Sequence, residues 1–129
     1  MRDIDNDSVA GVGHWDWDLL TGEISCSPEL VSIWGLDPSQ PPDRIDPLTD
    51  LLHPEDRARV VETVRRTVSR RRPGHTLFHR ISRPDGEVRQ IMSRAHLTLG
   101  PDGSARRLTG IALDLTDAPI DLDGPAVEA

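Results

Sequence analysis

Two Pro-Asp-Gly tripeptides, Pro84-Asp85-Gly86 and Pro101-Asp102-Gly103, constrain this chain more than any other feature. Proline presets φ at the corner and glycine takes the left-handed position after it, so each tripeptide closes a tight turn between extended runs. The runs they separate, residues 76–82, 88–99 and 106–115, are rich in aliphatic and β-branched side chains. Strands joined by tight turns are antiparallel neighbours. The C-terminal half therefore reads as a three-stranded antiparallel meander.

The N-terminal half adds a second sheet element and then changes period. His14-Trp15-Asp16-Trp17-Asp18-Leu19 alternates polar and apolar residues, the mark of a strand over residues 13–20 with one buried face. Thr21-Gly22 makes a turn, and Glu23-Ile24-Ser25-Cys26 is the returning strand of a hairpin. Ser27 then caps a helix that Pro28 starts, with Glu29 in the first turn; Leu30 and Trp34 lie one turn apart and Gly35 stops it. Residues 37–47 are too rich in proline for a long helix, and a short helical turn is expected at 48–52. His53-Pro54-Glu55-Asp56 opens the longest helix, with Val60, Val61, Val64 and Val68 on one stripe, and Pro73-Gly74 ends it. Two strands, a helical middle and a meander predict an α+β domain, a five-stranded antiparallel sheet with helices packed on one face. The domain is expected over residues 11–117. Residues 1–10 read as an acidic tail or cap segment, and 118–129 as a flexible tail broken by Pro119, Gly124 and Pro125.

Composition narrows the function. The chain has 129 residues, enough for one domain, and a net charge of −7, with 22 acidic residues against 15 arginines and no lysine. That balance disfavours direct binding of nucleic acid. Arg65, Arg66, Arg70, Arg71 and Arg72 end the long helix, where cations suit the helix dipole, and read as a solvated face. The single Cys26 excludes an internal disulfide and a cysteine-based zinc cage, which fits a reducing compartment. No apolar targeting region and no run of about 20 apolar residues is present, so a cytoplasmic protein without membrane insertion is expected. The lysine-free composition hints at a high-GC bacterium.

Catalytic constellations are weak. His14, Asp16 and Asp18 share one face of a strand, and His53, Glu55 and Asp56 cluster at a helix start. The first face lies opposite the tryptophans, and acids in a first helical turn are what the dipole favours. No phosphate loop, nucleophile elbow or zinc-helix word occurs. No catalytic residue and no metal ligand is assigned, and the chain is not expected to be an enzyme.

Taken in order, Gly13-His-Trp15-Asp-Trp17-Asp18-Leu-Leu-Thr21-Gly22, Ser27-Pro-Glu-Leu30, Trp34-Gly35-Leu36, His53-Pro54-Glu55-Asp56-Arg57, Arg80-Ile81-Ser-Arg-Pro84-Asp85-Gly86-Glu87-Val88-Arg89 and Gly110-Ile-Ala-Leu-Asp114-Leu115-Thr116 resemble a PAS domain. The resemblance is to the variant with a Trp-rich opening strand and a C-terminal PAC motif, and it covers residues 11–117. The sequence departs where relatives often carry an aromatic residue in the strand after Asp-Gly, since Gln90 and Met92 stand there.

The resemblance implies that helices cup one face of the sheet, and strand alternation then sorts the side chains. Trp15, Trp17, Leu77, His79, Ile81, Ile91, Ser93, Ala95, Gly110 and Ala112 are expected to point into the cup, with Leu30, Ile33, Trp34, Val60, Val64 and Val68 facing them from the helices. Relatives hold haem, flavin or small metabolites in such a cup. Small wall residues leave room for a small-molecule ligand and His79 offers a polar handle. Against that, two tryptophans can fill the space by themselves. No cofactor is the first expectation. For haem, none of His53, His75 and His79 stands out as an axial ligand. For flavin–thiol chemistry, Cys26 lies in Ile24-Ser25-Cys26-Ser27 and not in an Asn-Cys-Arg-Phe word.

The opposite face is expected to carry Phe78, Arg80, Gln90, Met92, Arg94, Thr109, Ile111 and Leu113. Phe78, Met92, Ile111 and Leu113 make an apolar cluster that calls for a cover: the N-terminal segment, a second copy in a homodimer, or a partner domain. An ion pair from Arg80 or Arg89 to Asp114 is plausible in such folds. In multidomain relatives Asp114-Leu115-Thr116 leads to an output module, and residues 117–129 encode none, so the chain reads as a sensor segment of a larger regulator or a stand-alone binder. The function expected is that of a PAS sensory or interaction domain in bacterial signal transduction, associated with a histidine kinase or other regulator. The rival is a ligand-independent dimerisation module with a Trp-filled core.

Overall fold

A computed structural model of the chain describes residues 12–117. The acidic cap segment and the C-terminal tail expected from sequence lie outside the described residues. Eight elements run in the order β1 (Val12–Asp18), β2 (Ile24–Cys26), α1 (Pro28–Ile33), α2 (Asp46–Asp50), α3 (Pro54–Ser69), β3 (Gly74–Ser82), β4 (Val88–Leu99) and β5 (Ala105–Asp114). The strands form one antiparallel sheet ordered β2-β1-β5-β4-β3. The first long strand thus pairs with the last, and β5 sits at the centre.

Local chemistry explains the boundaries. Gly86 and Gly103 take φ of +92° and +85°, the left-handed conformation the Pro-Asp-Gly turns require. Ser27 caps α1, its hydroxyl accepting from the Leu30 N–H at 3.3 Å, and Gly35 with φ +78° follows the helix. His53 caps α3 by an unusual route, with Nδ1 accepting from the Glu55 N–H at 3.1 Å. The short middle helix begins two residues earlier than its pattern suggests, because Pro47 supplies a first-turn φ. The Pro-rich connection also has a role: Ile24 N–H donates to the Asp43 carbonyl at 3.0 Å, and Glu23 bridges to Arg44, so this segment partly covers the edge of β2.

All three helices pack on one face. Leu30, Ile33, Trp34, Leu48, Leu52 and Val60 share a core with Ile24, Leu77, Ile81, Ile91 and Ala112 from the sheet. Helix α1 lies directly on β1, since a Cβ on the buried Gly13 would come within 2.5 Å of the Leu30 Cα. A second cluster, Ala95, Leu97 and Leu108, sits toward the other end of the sheet with Trp15 and Trp17 against it.

Candidate functional site

Between the concave sheet face and the helices lies a cavity of about 490 Å³. It is within the range of small-molecule sites, roughly 300–1,000 Å³. The tryptophans do not fill it. Trp15 instead lies across Gly110, where an added Cβ would be 2.6 Å from the indole Cζ2, and Trp17 forms part of the wall beside Leu108. Helix α3 closes the far side with Val60, Val64 and Val68, α1 contributes Leu30 and Trp34, and β3 contributes Leu77 and His79.

Of the residues expected in the cup, the cavity wall takes Trp15, Trp17, Leu30, Trp34, Val60, Val64, Val68, Leu77, His79 and Ser93. Ile33, Ile81, Ile91, Ala95 and Ala112 are buried on the same side of the molecule but stand in solid packing rather than on the wall, and Gly110 lies beneath Trp15. Around Ala112 the physical reason is that α1 presses onto Gly13, its register partner, and fills the space a small residue would leave, whereas Ala95 packs with Leu97 and Leu108 under the two tryptophans. The open volume is displaced toward β3 and α3. Its wall also takes Leu19, Ile24, His75 and Leu108 from the sheet side, Ile45, Leu48, Thr49 and Leu52 from around α2, and Val61, Arg65 and Ser69 from α3.

Polar groups on the wall are few and mostly engaged. The Ser93 hydroxyl lies 3.0 Å from His79 Nε2, and His79 Nδ1 lies 3.4 Å from the Arg80 carbonyl. A carbonyl only accepts, so Nδ1 carries the ring proton and Nε2 accepts from Ser93. Burial disfavours the charged ring and lowers the pKa of His79, outweighing the Arg80 hydrogen bond and the nearby Asp56 charge that pull the other way. His75 is likewise lowered by burial, and its Nδ1 sits 2.8 Å from Thr67 Oγ1. Trp34 donates its indole N–H to the Leu48 carbonyl at 3.1 Å. Trp17 is different: its Nε1 is buried and has no partner.

Of the two cofactor chemistries raised by the resemblance, flavin–thiol chemistry does not fit this donor set. For haem, both nitrogens of His79 are committed, whereas His75, also on the wall, is engaged only at Nδ1, by Thr67. A flavin–thiol adduct needs a reactive sulfur on the wall. Cys26 lies instead against the core on β2, and burial pushes its thiol up to about 11.

The convex face is divided. Val12, Leu113, Met92 and Phe78 stand in register across four strands as an apolar row, and Phe78 is 62% exposed. Ile111 lies in the next row between His14 and Arg94, so it borders a polar half of the face that includes Thr109. There Arg107 bonds Asp16 at 2.7 Å. Gln90 is exposed. Arg80, expected on this face, turns instead to α3, where it meets Asp56 and Glu55. Asp114 pairs with Arg89 at 2.9 Å, which decides between the two arginines considered from sequence. Burial would raise the Asp114 pKa, but the Thr116 N–H and hydroxyl and the Arg89 guanidinium outweigh it and lower it overall.

The clusters weighed as catalytic separate into structural roles: His53 caps α3, Asp56 holds Arg80, and Asp16 and Asp18 pair with Arg107. Among the described residues no group of three His, Cys, Asp or Glu side chains could hold a metal ion. No described helix is long and apolar enough to cross a membrane.

A five-stranded antiparallel sheet cupped on one side by helices, with a cavity between them, defines an α+β domain of the PAS architecture. The family model for the PAS fold, PAS_3, matches residues 23–112, and the chain belongs to that family. It is 35% identical over 109 residues to a blue-light-activated histidine kinase of Brucella anthropi, covering 84% of this chain. It is 35% identical over 107 residues to the sensor protein FixL of Bradyrhizobium diazoefficiens, covering 83% of this chain. In both comparisons it spans 21% of the relative's length. A crystal structure of a sensory box histidine kinase/response regulator from Burkholderia thailandensis superposes with a TM-score of 0.73 at 32% identity, covering 94% of this chain and 89% of that one.

Proposed function

We propose that this chain is a ligand-sensing input module of a bacterial signalling protein. It binds a small molecule in the cup and passes the resulting change through its sheet to an output domain of the histidine kinase type. The observation that carries this reading is the 490 Å³ cavity itself, walled by aliphatic and aromatic side chains beside two tryptophans that leave it open. A core that folding alone had shaped would be close-packed, with few voids larger than a water molecule. The relatives support the context, since two are named as a histidine kinase and a sensor protein. The chain itself brings binding and no chemistry of its own.

Native mass spectrometry of protein purified from its own host tests this. The expected result is an added small-molecule mass that is absent from a Val64→Trp variant, in which the indole occupies the cavity. A wild-type protein that carries no added mass, and whose thermal stability the Val64→Trp substitution raises, would favour a scaffold with an unfilled core.

A second reading runs alongside the first and rests on the convex row of Val12, Leu113, Met92 and Phe78. Four apolar side chains in register, one of them well exposed, suit burial against a second copy of the domain or the partner it regulates.

A further inference from the structure

The mouth of the cup has a chemistry of its own, and this inference rests on the ligand-binding reading above. Helix α3 lays two neighbouring stripes along the cavity, each of residues four apart on one helix face. Val60, Val64 and Val68 are buried or half-buried and make the inner wall. Val61, Arg65 and Ser69 line the same cavity but are exposed, so they mark the rim where it meets solvent. Among the described residues Arg65 is the one permanently charged side chain on the wall, and it is 72% exposed.

Behind the rim the wall is mostly apolar, and its other polar side chains are turned to the protein. Ser93 meets His79, Thr49 donates to the Ile45 carbonyl at 3.2 Å, and His75 Nδ1 meets Thr67. A charge carried inside would be stripped of water with no opposite charge to meet it. At the rim the balance is reversed. Arg65, Arg66, Arg70, Arg71 and Arg72 crowd the end of α3, and among the described residues Glu62 is the one carboxylate that pairs with any of them. A helix C-terminus calls for roughly half a unit of positive charge, so this cluster exceeds what the dipole explains. Glu62 is served twice, by Arg65 at 2.8 Å and by Arg66 at 3.1 Å through its other oxygen. Arg65 can therefore turn to a ligand and leave the carboxylate paired.

We propose that the cup takes a single-chain aliphatic carboxylate, with its body against the apolar wall and its head at the mouth on Arg65. A guanidinium fork matches a carboxylate with two parallel hydrogen bonds. The head stays in contact with water there, so the ion is never fully desolvated. The surplus of arginines around the mouth sets a local field that favours anions on a molecule whose net charge is −7.

Three probes with one tail length test this on the 129-residue chain at neutral pH: decanoate, decanol and decyltrimethylammonium, each kept below its micelle concentration. Affinities are measured by isothermal titration calorimetry. Decanoate is expected to bind roughly fivefold more tightly than the cationic probe, the upper scale of an exposed ion pair, and added salt should narrow the gap. In Arg65→Gln decanoate should weaken by about the same factor. Decanol, which has no charge to lose, should bind that variant as before and so report an intact cup. In a ¹⁵N-labelled sample decanoate should move the Arg65 Nε–H resonance, which decanol should not. Equal affinity for decanoate and the cationic probe, or an Arg65→Gln variant that binds decanoate as the wild type does, would overturn the anionic head while the cup stands. Failure of all three probes to bind would overturn the ligand-binding reading as well.

Discussion

Asp56, in the first turn of α3, accepts three hydrogen bonds from Arg80 on β3: from its backbone N–H at 2.8 Å, from Nε at 3.0 Å and from an Nη at 2.8 Å. One carboxylate therefore satisfies both the main chain and the side chain of an edge-strand residue, and it ties the helix that closes the cup to the strand that forms its wall. The Arg80 bonds come first among the causes that hold the Asp56 carboxyl well below the usual carboxylate range, and they outweigh the opposing effect of burial. Arg59, 3.6 Å away, adds a further charge.

Asp56→Asn is the sharpest test of that link. The amide keeps the size but surrenders the charge and one acceptor, and loses about 1.5–3 kcal/mol, the scale of hydrogen bonds to charged groups. Urea unfolding of the wild type and the variant at neutral pH measures the difference. Equal midpoints would show that the link contributes nothing to stability.

Acid should lower the stability of the protein over two separate pH ranges. His75 and His79 are both lowered from the ordinary 6.5 by burial, so the fold prefers them neutral and the unfolded chain binds more protons just below that value. Stability then rises with pH through this region, and begins to fall as pH drops below about 6.5. Asp56 is lowered as well, so its contribution is complete above the ordinary carboxylate value of 3.8 and is lost as pH falls beneath it. Urea midpoints recorded against pH should show both declines. Replacing both histidines by glutamine should flatten the upper one and leave the lower.

Gly13→Ala tests how closely α1 sits on the sheet. The new methyl would meet backbone atoms of Leu30, with its Cα at 2.5 Å, and a backbone cannot rotate away as a side chain can. A loss of roughly 1–3 kcal/mol is expected, the usual cost of overpacking. Thermal unfolding reads it, and an unchanged midpoint would mean that the helix stands further off.

Ile111→Asp addresses the convex face. A charge beside the apolar row should convert a self-associating wild type into a folded monomer with an unaltered circular dichroism spectrum. Sedimentation velocity over a concentration series distinguishes the two. A dimer that survives the substitution would place the contact elsewhere.

Much of this was open to reading because turn chemistry and alternation are local. The Pro-Asp-Gly corners announce β3, β4 and β5, and the Trp15/Trp17 alternation announces the inner face of β1. The same alternation carried one step further along β3 and β5 reaches His75 and Leu108, which the expected set omitted although both line the cavity. Ile45, Leu48 and Leu52 were hidden for a different reason. They come from a proline-broken stretch with no period, and their position depends on how that stretch folds back over the sheet. Val12 joined the outer row unannounced because the pairing of β1 with β5 is a long-range fact that no short window contains. The location of the void was equally out of reach. It depends on α1 seating on Gly13, which decides which end of the cup is solid.

The central place of β5 bears on how the molecule is made. Residues 105–114 emerge late from a ribosome, yet they supply the ladder on which both the opening hairpin and the meander rest. A nascent chain lacking them has two hairpins and the helices, with no strand to join the hairpins into one sheet. Assembly therefore waits for nearly the whole domain and then proceeds as one cooperative event, with little chance for the amino-terminal half to settle alone.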